Sequence, residues 1–168
     1  MICDKPTYVY GNILSTLDGD NFRTISELPV NDYESQEDLW GEFTYFFDCN
    51  NSGQQNNQIL SHPTKELTIP IREIYSIDTF GSMFDGCALL EQAPYIVVYE
   101  GDTSNRNFAY MFDGCSNLSY IRCEHNVVDY SNGWVRNVAS NGTFVTSNPS
   151  EWTRGNDGIP NNWQVIKK

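Results

Sequence analysis

The chain has 168 residues, room for one domain or a short row of repeats with an end cap, and 39% of them are hydrophobic and 14% aromatic. Ten Tyr, nine Phe and four Trp exclude a disordered tail, and the longest apolar runs fall far short of the ~20 residues a membrane-spanning helix needs. The net charge of −12 makes a surface that repels phosphate, which argues against nucleic-acid binding.

The N-terminal stretch, MICDKPTYVYGN, has no basic region followed by an apolar run, so no secretory signal is expected. From Asp18 to Asp48 there are nine acidic side chains and one basic one, Arg23, a pattern that reads as a solvated acidic face. Within it Asp18, Asp20 and Asn21 are closely spaced oxygen donors, the weak calcium candidates of the chain. They fall far short of a full calcium loop, and no metal or cofactor is expected. Ile25 to Val30 has the cadence of a short strand. Ser35, with Asp38 three residues on, is a helix-start signal before Phe43-Thr-Tyr-Phe-Phe-Asp-Cys49. The polar tract NNSGQQNNQ that follows reads as a loop, and the strand cadence returns at Leu67 to Ile71.

The pentapeptide MFDGC then occurs twice, at Met83 and again at Met111, 28 residues apart. Around it Phe80 to Leu90 and Phe108 to Leu118 share Phe, Met, Phe, Asp, Gly, Cys and Leu at matching positions, and Phe43 to Cys49 is a worn third copy. A period of this size is the signature of a solenoid, in which each unit buries its apolar face only against its neighbours. The paired bulky residues are expected on a short helical turn that Gly86 or Gly114 ends as a left-handed cap would. A strand follows each, over Leu90 to Val98 and Leu118 to Cys123. The expected core of the repeat is Met83, Phe84, Cys87, Leu90, Met111, Phe112, Cys115, Leu118 and Ile121. Cys87 and Cys115, being copies of one position, are expected as buried thiols rather than nucleophiles. Five cysteines without a CxxC pair, and only two histidines, offer few ligands for zinc.

With Leu118, Ile121 and Cys123 inward, Ser119, Tyr120 and Arg122 point outward, as do Glu91 and Gln92 one coil earlier. These five are the candidate binding residues, and Tyr and Arg are types that often anchor interfaces. Catalysis is not expected: His125 lies beside Cys123 and Glu124, but neighbours on a strand face opposite ways, and Asp85 and Asp113 are paired only by the repeat. Beyond Cys123, Asn132-Gly133 and Asn141-Gly142 are turn signals. Phe144-Val145 and Trp163 to Ile166 read as short strands that close the end, with the tail's three tryptophans as core.

The MFxGC motif followed by CxxLxxI, carried by Cys115, Leu118 and Ile121, resembles the BspA-like leucine-rich repeats of gut-bacterial surface proteins and of their phages. The tail WVRNVASNGTFV with EWTRGNDGIPNNW resembles the cap that ends many arrays of that family, at Trp134, Val138, Gly142, Thr143, Phe144, Trp152, Gly155, Gly158, Ile159, Pro160 and Trp163. The resemblance covers Phe80 to Val165 and implies an α/β leucine-rich-repeat solenoid of stacked short parallel strands and helical turns. Its expected parts are an irregular N-terminal attachment region with a first strand (1–42), the repeats (43–123) and a β-rich cap (124–168).

The function it implies is non-catalytic recognition or structure. The setting expected first is a phage virion (fibre, tail or head-decoration protein), made in the host cytoplasm; the alternative is a bacterial surface adhesin whose export signal lies outside this sequence. Partners expected on this reading are virion or cell-surface proteins, a host surface glycan or protein, or further copies of the chain.

Overall fold

The computed structural model describes residues 5–12, 47, 58–71, 80–98, 108–124 and 131–168. Eight short strands lie among them: β1 (Thr7–Val9), β2 (Gly11–Asn12), β3 (Ile59–Ser61), β4 (Leu67–Ile71), β5 (Tyr95–Val98), β6 (Tyr120–Arg122), β7 (Thr143–Thr146) and β8 (Gln164–Lys167). Every pair is parallel: β1 with β3, β2 with β4, β4 with β5, β6 with β7 and β7 with β8. Parallel bridges from Gln92 to Tyr120 and from Ile96 to Cys123 carry the stack across from the β5 coil to β6. The architecture is a β-solenoid of about three turns.

The helical turns expected of a leucine-rich repeat are not seen among the described residues. Among the described residues the one regular helical element is a three-residue 3-10 turn, Pro149–Glu151. The reason lies in the backbone of MFDGC. In an α-helix each N–H reaches four residues back; here Met83, Asp85 and Cys87 reach three back, to Phe80, Ser82 and Phe84 at 3.3, 3.1 and 3.0 Å. The alternate N–H groups of Ser82, Phe84 and Gly86 leave the segment and donate to Ala109, Met111 and Asp113 of the next coil, at 2.8, 2.9 and 2.7 Å. Tyr110, Phe112 and Gly114 do the same to Asn132, Trp134 and Arg136, at 3.0, 2.8 and 3.0 Å.

A left-handed residue every four positions sets this course. Ser82 (φ 52°) and Gly86 (φ 73°), Tyr110 (56°) and Gly114 (73°), and Gly133 (63°) and Asn137 (59°) occupy equivalent places in successive coils. Each turns the chain out of the right-handed helical path before a second helical hydrogen bond can form. Gly86 and Gly114 are left-handed, but they end a tight turn rather than a helix.

The core is a set of columns, each made of one position repeated. Phe47, Phe84 and Phe112 stack with centroids 5.1 and 5.6 Å apart, and Phe80 stacks on Phe108 at 5.8 Å. Met83, Phe84, Cys87, Met111, Phe112, Cys115, Leu118 and Ile121 have no exposed surface, and Leu90 has 1%. The two cysteines hold a polar post within this apolar packing. Cys87 Sγ donates to the Phe47 carbonyl at 3.2 Å and Cys115 Sγ to the Phe84 carbonyl at 3.0 Å, each one coil back.

Residues 131–146, part of the segment expected as a cap, follow the same course as the coils before them. Arg136 stands where the earlier coils carry Asp85 and Asp113. Its Nε donates to Asp113 Oδ2 at 2.9 Å, its Nη2 reaches the same oxygen, and Asn137 Nδ2 donates to Oδ1 at 3.1 Å. The last coil is closed by tryptophans whose N–H groups are all used. Trp134 donates to Gly158 O at 2.8 Å, Trp152 to Thr146 Oγ1 at 3.2 Å, and Trp163 to Ala139 O at 2.8 Å. β1 and β2, within the expected attachment region, pair into the stack. Ile25 to Val30, Ser35, Phe43, Cys49 and His125 lie outside the described residues.

Gly114→Ala is expected to lower the unfolding free energy by about 1–2 kcal/mol, because a Cβ is strained at that φ. Asn137→Gly, at the equivalent place one coil on, relieves the backbone but removes the Nδ2 bond to the Asp113 carboxylate, and is expected to lower it by about 1–2 kcal/mol. Urea denaturation of the two variants beside the parent chain checks both.

Candidate functional site

Along β6 the inward side chains are Ile121 and, beyond the strand, Cys123, both without exposed surface; Tyr120 and Arg122 alternate with them and face out. The coil before is held in register by two backbone bonds about one parallel bridge. Ser119 N–H donates to Glu91 O at 2.9 Å, Ala93 N–H to Tyr120 O at 2.9 Å, and Gln92 bridges Tyr120. On the other side of that coil Ser61 replaces a strand pairing with its side chain. Its Oγ donates to Gln92 O at 2.9 Å and accepts from Gln92 N–H at 2.8 Å, which fixes the Gln92 backbone at both polar groups.

This register brings Glu91, Gln92, Ser119 and Tyr120 together on one open groove of about 540 Å³. Its far wall comes from Tyr8 on β1, Leu60 on β3 and His62 just after β3; Leu89 forms part of the rim. His62 is oriented by its own loop, since Nδ1 accepts N–H bonds from Thr64 and Lys65, both at 3.1 Å. Its ring stands edge-on between Tyr8 (centroids 5.5 Å) and Tyr10 (4.8 Å), and Lys65 Nζ lies 4.3 Å from the Tyr10 centroid. Among the described residues, the side chains of Glu91, Gln92, Ser119 and Tyr120, exposed or half-exposed, have no hydrogen-bond partner.

No protein-family model, curated protein or solved structure matches the chain. The site therefore stands on its own geometry.

Arg122, the fifth candidate, is not brought to the groove. Gln92 pairs with Tyr120 but Ile96 pairs with Cys123, so the earlier coil holds one residue more, a bulge at Pro94-Tyr95 where proline lacks the N–H a ladder would need. The bulge slides the Tyr95 ring beneath Arg122, whose guanidinium carbon lies 3.7 Å from the ring centroid. Arg122 also approaches Glu66 at 3.9 Å and Glu124 at 3.4 Å, while its buried Nε has no partner among the described residues.

Glu124 is the centre of this second, closed cluster. It accepts from Ser147 Oγ at 2.5 Å, Lys168 Nζ at 2.6 Å and Tyr95 Oη at 3.2 Å. Burial pushes its carboxyl up, but the bonds from Lys168 and Ser147, the Lys168 charge and the Tyr95 bond outweigh that and bring the pKa down to about 2. Burial raises the Tyr95 phenol, which the Glu124 charge and hydrogen bond reinforce and the Arg122 charge opposes.

Asp85 and Asp113 occupy the same place on successive coils, and the Asp113 carboxylate accepts from Arg136 and Asn137. Asp18 and Asp20 lie outside the described residues, and among the described residues no three His, Cys, Asp or Glu come together. Tyr8, Ser61, His62 and Leu89 were not legible as site residues, because only the pairing of β1 with β3, and of Ser61 with Gln92, carries the N-terminal residues to the groove.

A lowered carboxyl pKa contributes stability that is fully present above the ordinary value of 4.5 and is lost as the pH falls toward 2. Glu124→Gln is therefore expected to melt at a lower temperature than the parent chain at neutral pH, with the gap closing between pH 4.5 and pH 2. Thermal melts followed by circular dichroism across that range measure the gap. A gap independent of pH would show that the carboxylate charge has no part in the cluster.

Proposed function

We propose that the chain is a non-catalytic recognition module of the BspA-like kind, with the open groove on its strand face as the binding surface. The observation that carries this reading is the contrast between two clusters one strand position apart. Arg122, Tyr95 and Glu124 engage one another, whereas Glu91, Gln92, Ser119 and Tyr120 converge on the groove without partners among the described residues. The rigid stack already orders their backbones, so a partner that pairs with them has only side-chain rotamers left to fix. The MFxGC cadence and the tryptophan-rich tail support the finer assignment to BspA-like repeats. That resemblance favours a virion component displayed in many copies, where even weak sites act together; a bacterial surface adhesin is the second setting.

Binding of the fluorescently labelled chain to intact gut-bacterial cells, measured by flow cytometry, tests the reading. The double variant Glu91→Lys, Tyr120→Ala is expected to weaken the binding about tenfold or more, since a few central residues carry most interface energy. Both side chains lie outside the core, so the melting temperature is expected to hold. Equal binding by parent and variant, or no binding by either, overturns the assignment of recognition to this face.

A further inference from the structure

The groove also carries information about the chemistry of its ligand, an inference that rests on the recognition reading above. Its unpartnered groups are of both kinds. Glu91 is an acceptor; the Gln92 amide and the Ser119 and Tyr120 hydroxyls both donate and accept. His62 adds a donor: two N–H groups point at Nδ1, so the ring proton sits on Nε2, which has no partner among the described residues. A ligand that is only a cation would use the acceptors and leave the donors unmatched. An anion would meet Glu91, with no lysine or arginine among the described lining residues, on a chain of net charge −12. An uncharged molecule rich in hydroxyls matches the whole set, because each hydroxyl also donates and accepts.

The shape agrees with the chemistry. Four rungs of the stack, at β1, β3, Glu91-Gln92 and Ser119-Tyr120, border the groove. At the usual strand spacing they span roughly 14 Å. Tyr8 is 54% exposed and Leu89 37%, which supplies flat apolar surface for the C–H faces of a sugar ring beside the polar row. The volume of about 540 Å³ lies within the range of small-ligand sites.

We propose that this groove binds a short, uncharged oligosaccharide, with Tyr8 as stacking platform and Glu91, Gln92, Ser119 and Tyr120 as hydroxyl partners. The test uses the whole chain on a printed array of neutral, sialylated and sulfated oligosaccharides, with a tetralysine peptide as the cationic probe. The neutral oligosaccharides that bind are then titrated and followed by amide NMR.

The expected result is binding of neutral glycans alone, with Kd on the order of 1 mM or tighter. Shifts should centre on Glu91, Gln92, Ser119 and Tyr120. Gln92→Ala and Tyr8→Ala are each expected to weaken it about tenfold, while Gln164→Ala, farther down the same face, leaves it unchanged. Selective binding of tetralysine or of acidic glycans, or shifts that map elsewhere, overturns the proposal. So does the absence of glycan binding. If the cell binding above still depends on Glu91 and Tyr120 in those cases, recognition stands and only the ligand class falls; if it does not, both fall.

Discussion

Everything in this molecule depends on how the backbone of the MFDGC turn divides its hydrogen bonds. Half of its N–H groups close tight turns within the coil and the other half donate to the next coil. Buried N–H groups need partners, and a helix would have directed its hydrogen bonds along its own axis, leaving the coils to cohere through side chains alone. With the groups divided, the turn side of the solenoid carries a parallel ladder like that on its strand side. Two ladders fix the rise between coils at both faces, so Phe84 must lie under Phe112 and Phe80 under Phe108. The cysteine thiols reinforce the same spacing by reaching one coil back.

That arrangement explains which parts of the fold can be read in the amino-acid sequence. The core letters recur because each coil presents the same slot to the next, and Met83, Phe84 and Cys87 with their copies mark it plainly. The turn geometry is hidden because its left-handed positions are filled by Gly86 and Gly114 but also by Ser82, Tyr110 and Asn137, residues that carry no fixed signal for that conformation. A helical turn is what the bulky pair followed by glycine suggests on local grounds alone. The coil at 131–146 is hidden for a similar reason: Gly133-Trp-Val-Arg-Asn137 matches Tyr110-Met-Phe-Asp-Gly114 at no position, yet it has the same pair of positive φ angles.

The candidate site was legible in part for the same physical reason. The inward set of the repeat leaves Glu91, Gln92, Ser119 and Tyr120 outside it, so these positions emerge from the repeat itself. Alternation does not reveal which outward residues are already engaged. Arg122 differs from Tyr120 because one extra residue at Pro94-Tyr95 places an aromatic ring beneath it, and no periodic pattern records a bulge's consequence for the neighbouring coil. Nor does it record Ser61, whose side chain does the work of a strand bond.

The two clusters on the strand face divide paired side chains from unpaired ones. A carboxylate with a pKa near 2 is one whose hydrogen bonds are made before any ligand arrives, and its neighbours Arg122, Tyr95, Ser147 and Lys168 tie successive coils together from outside the core. Because that cluster, the aromatic columns and the turn ladder already hold the stack, the groove's polar row is not needed for folding. Its side chains can change while the coil geometry beneath them stays constant, and the same backbone can then present a different set of hydrogen-bonding groups. A solenoid suits recognition on that account: it keeps the unpaired groups at strand spacing and separates them from the residues that maintain that spacing.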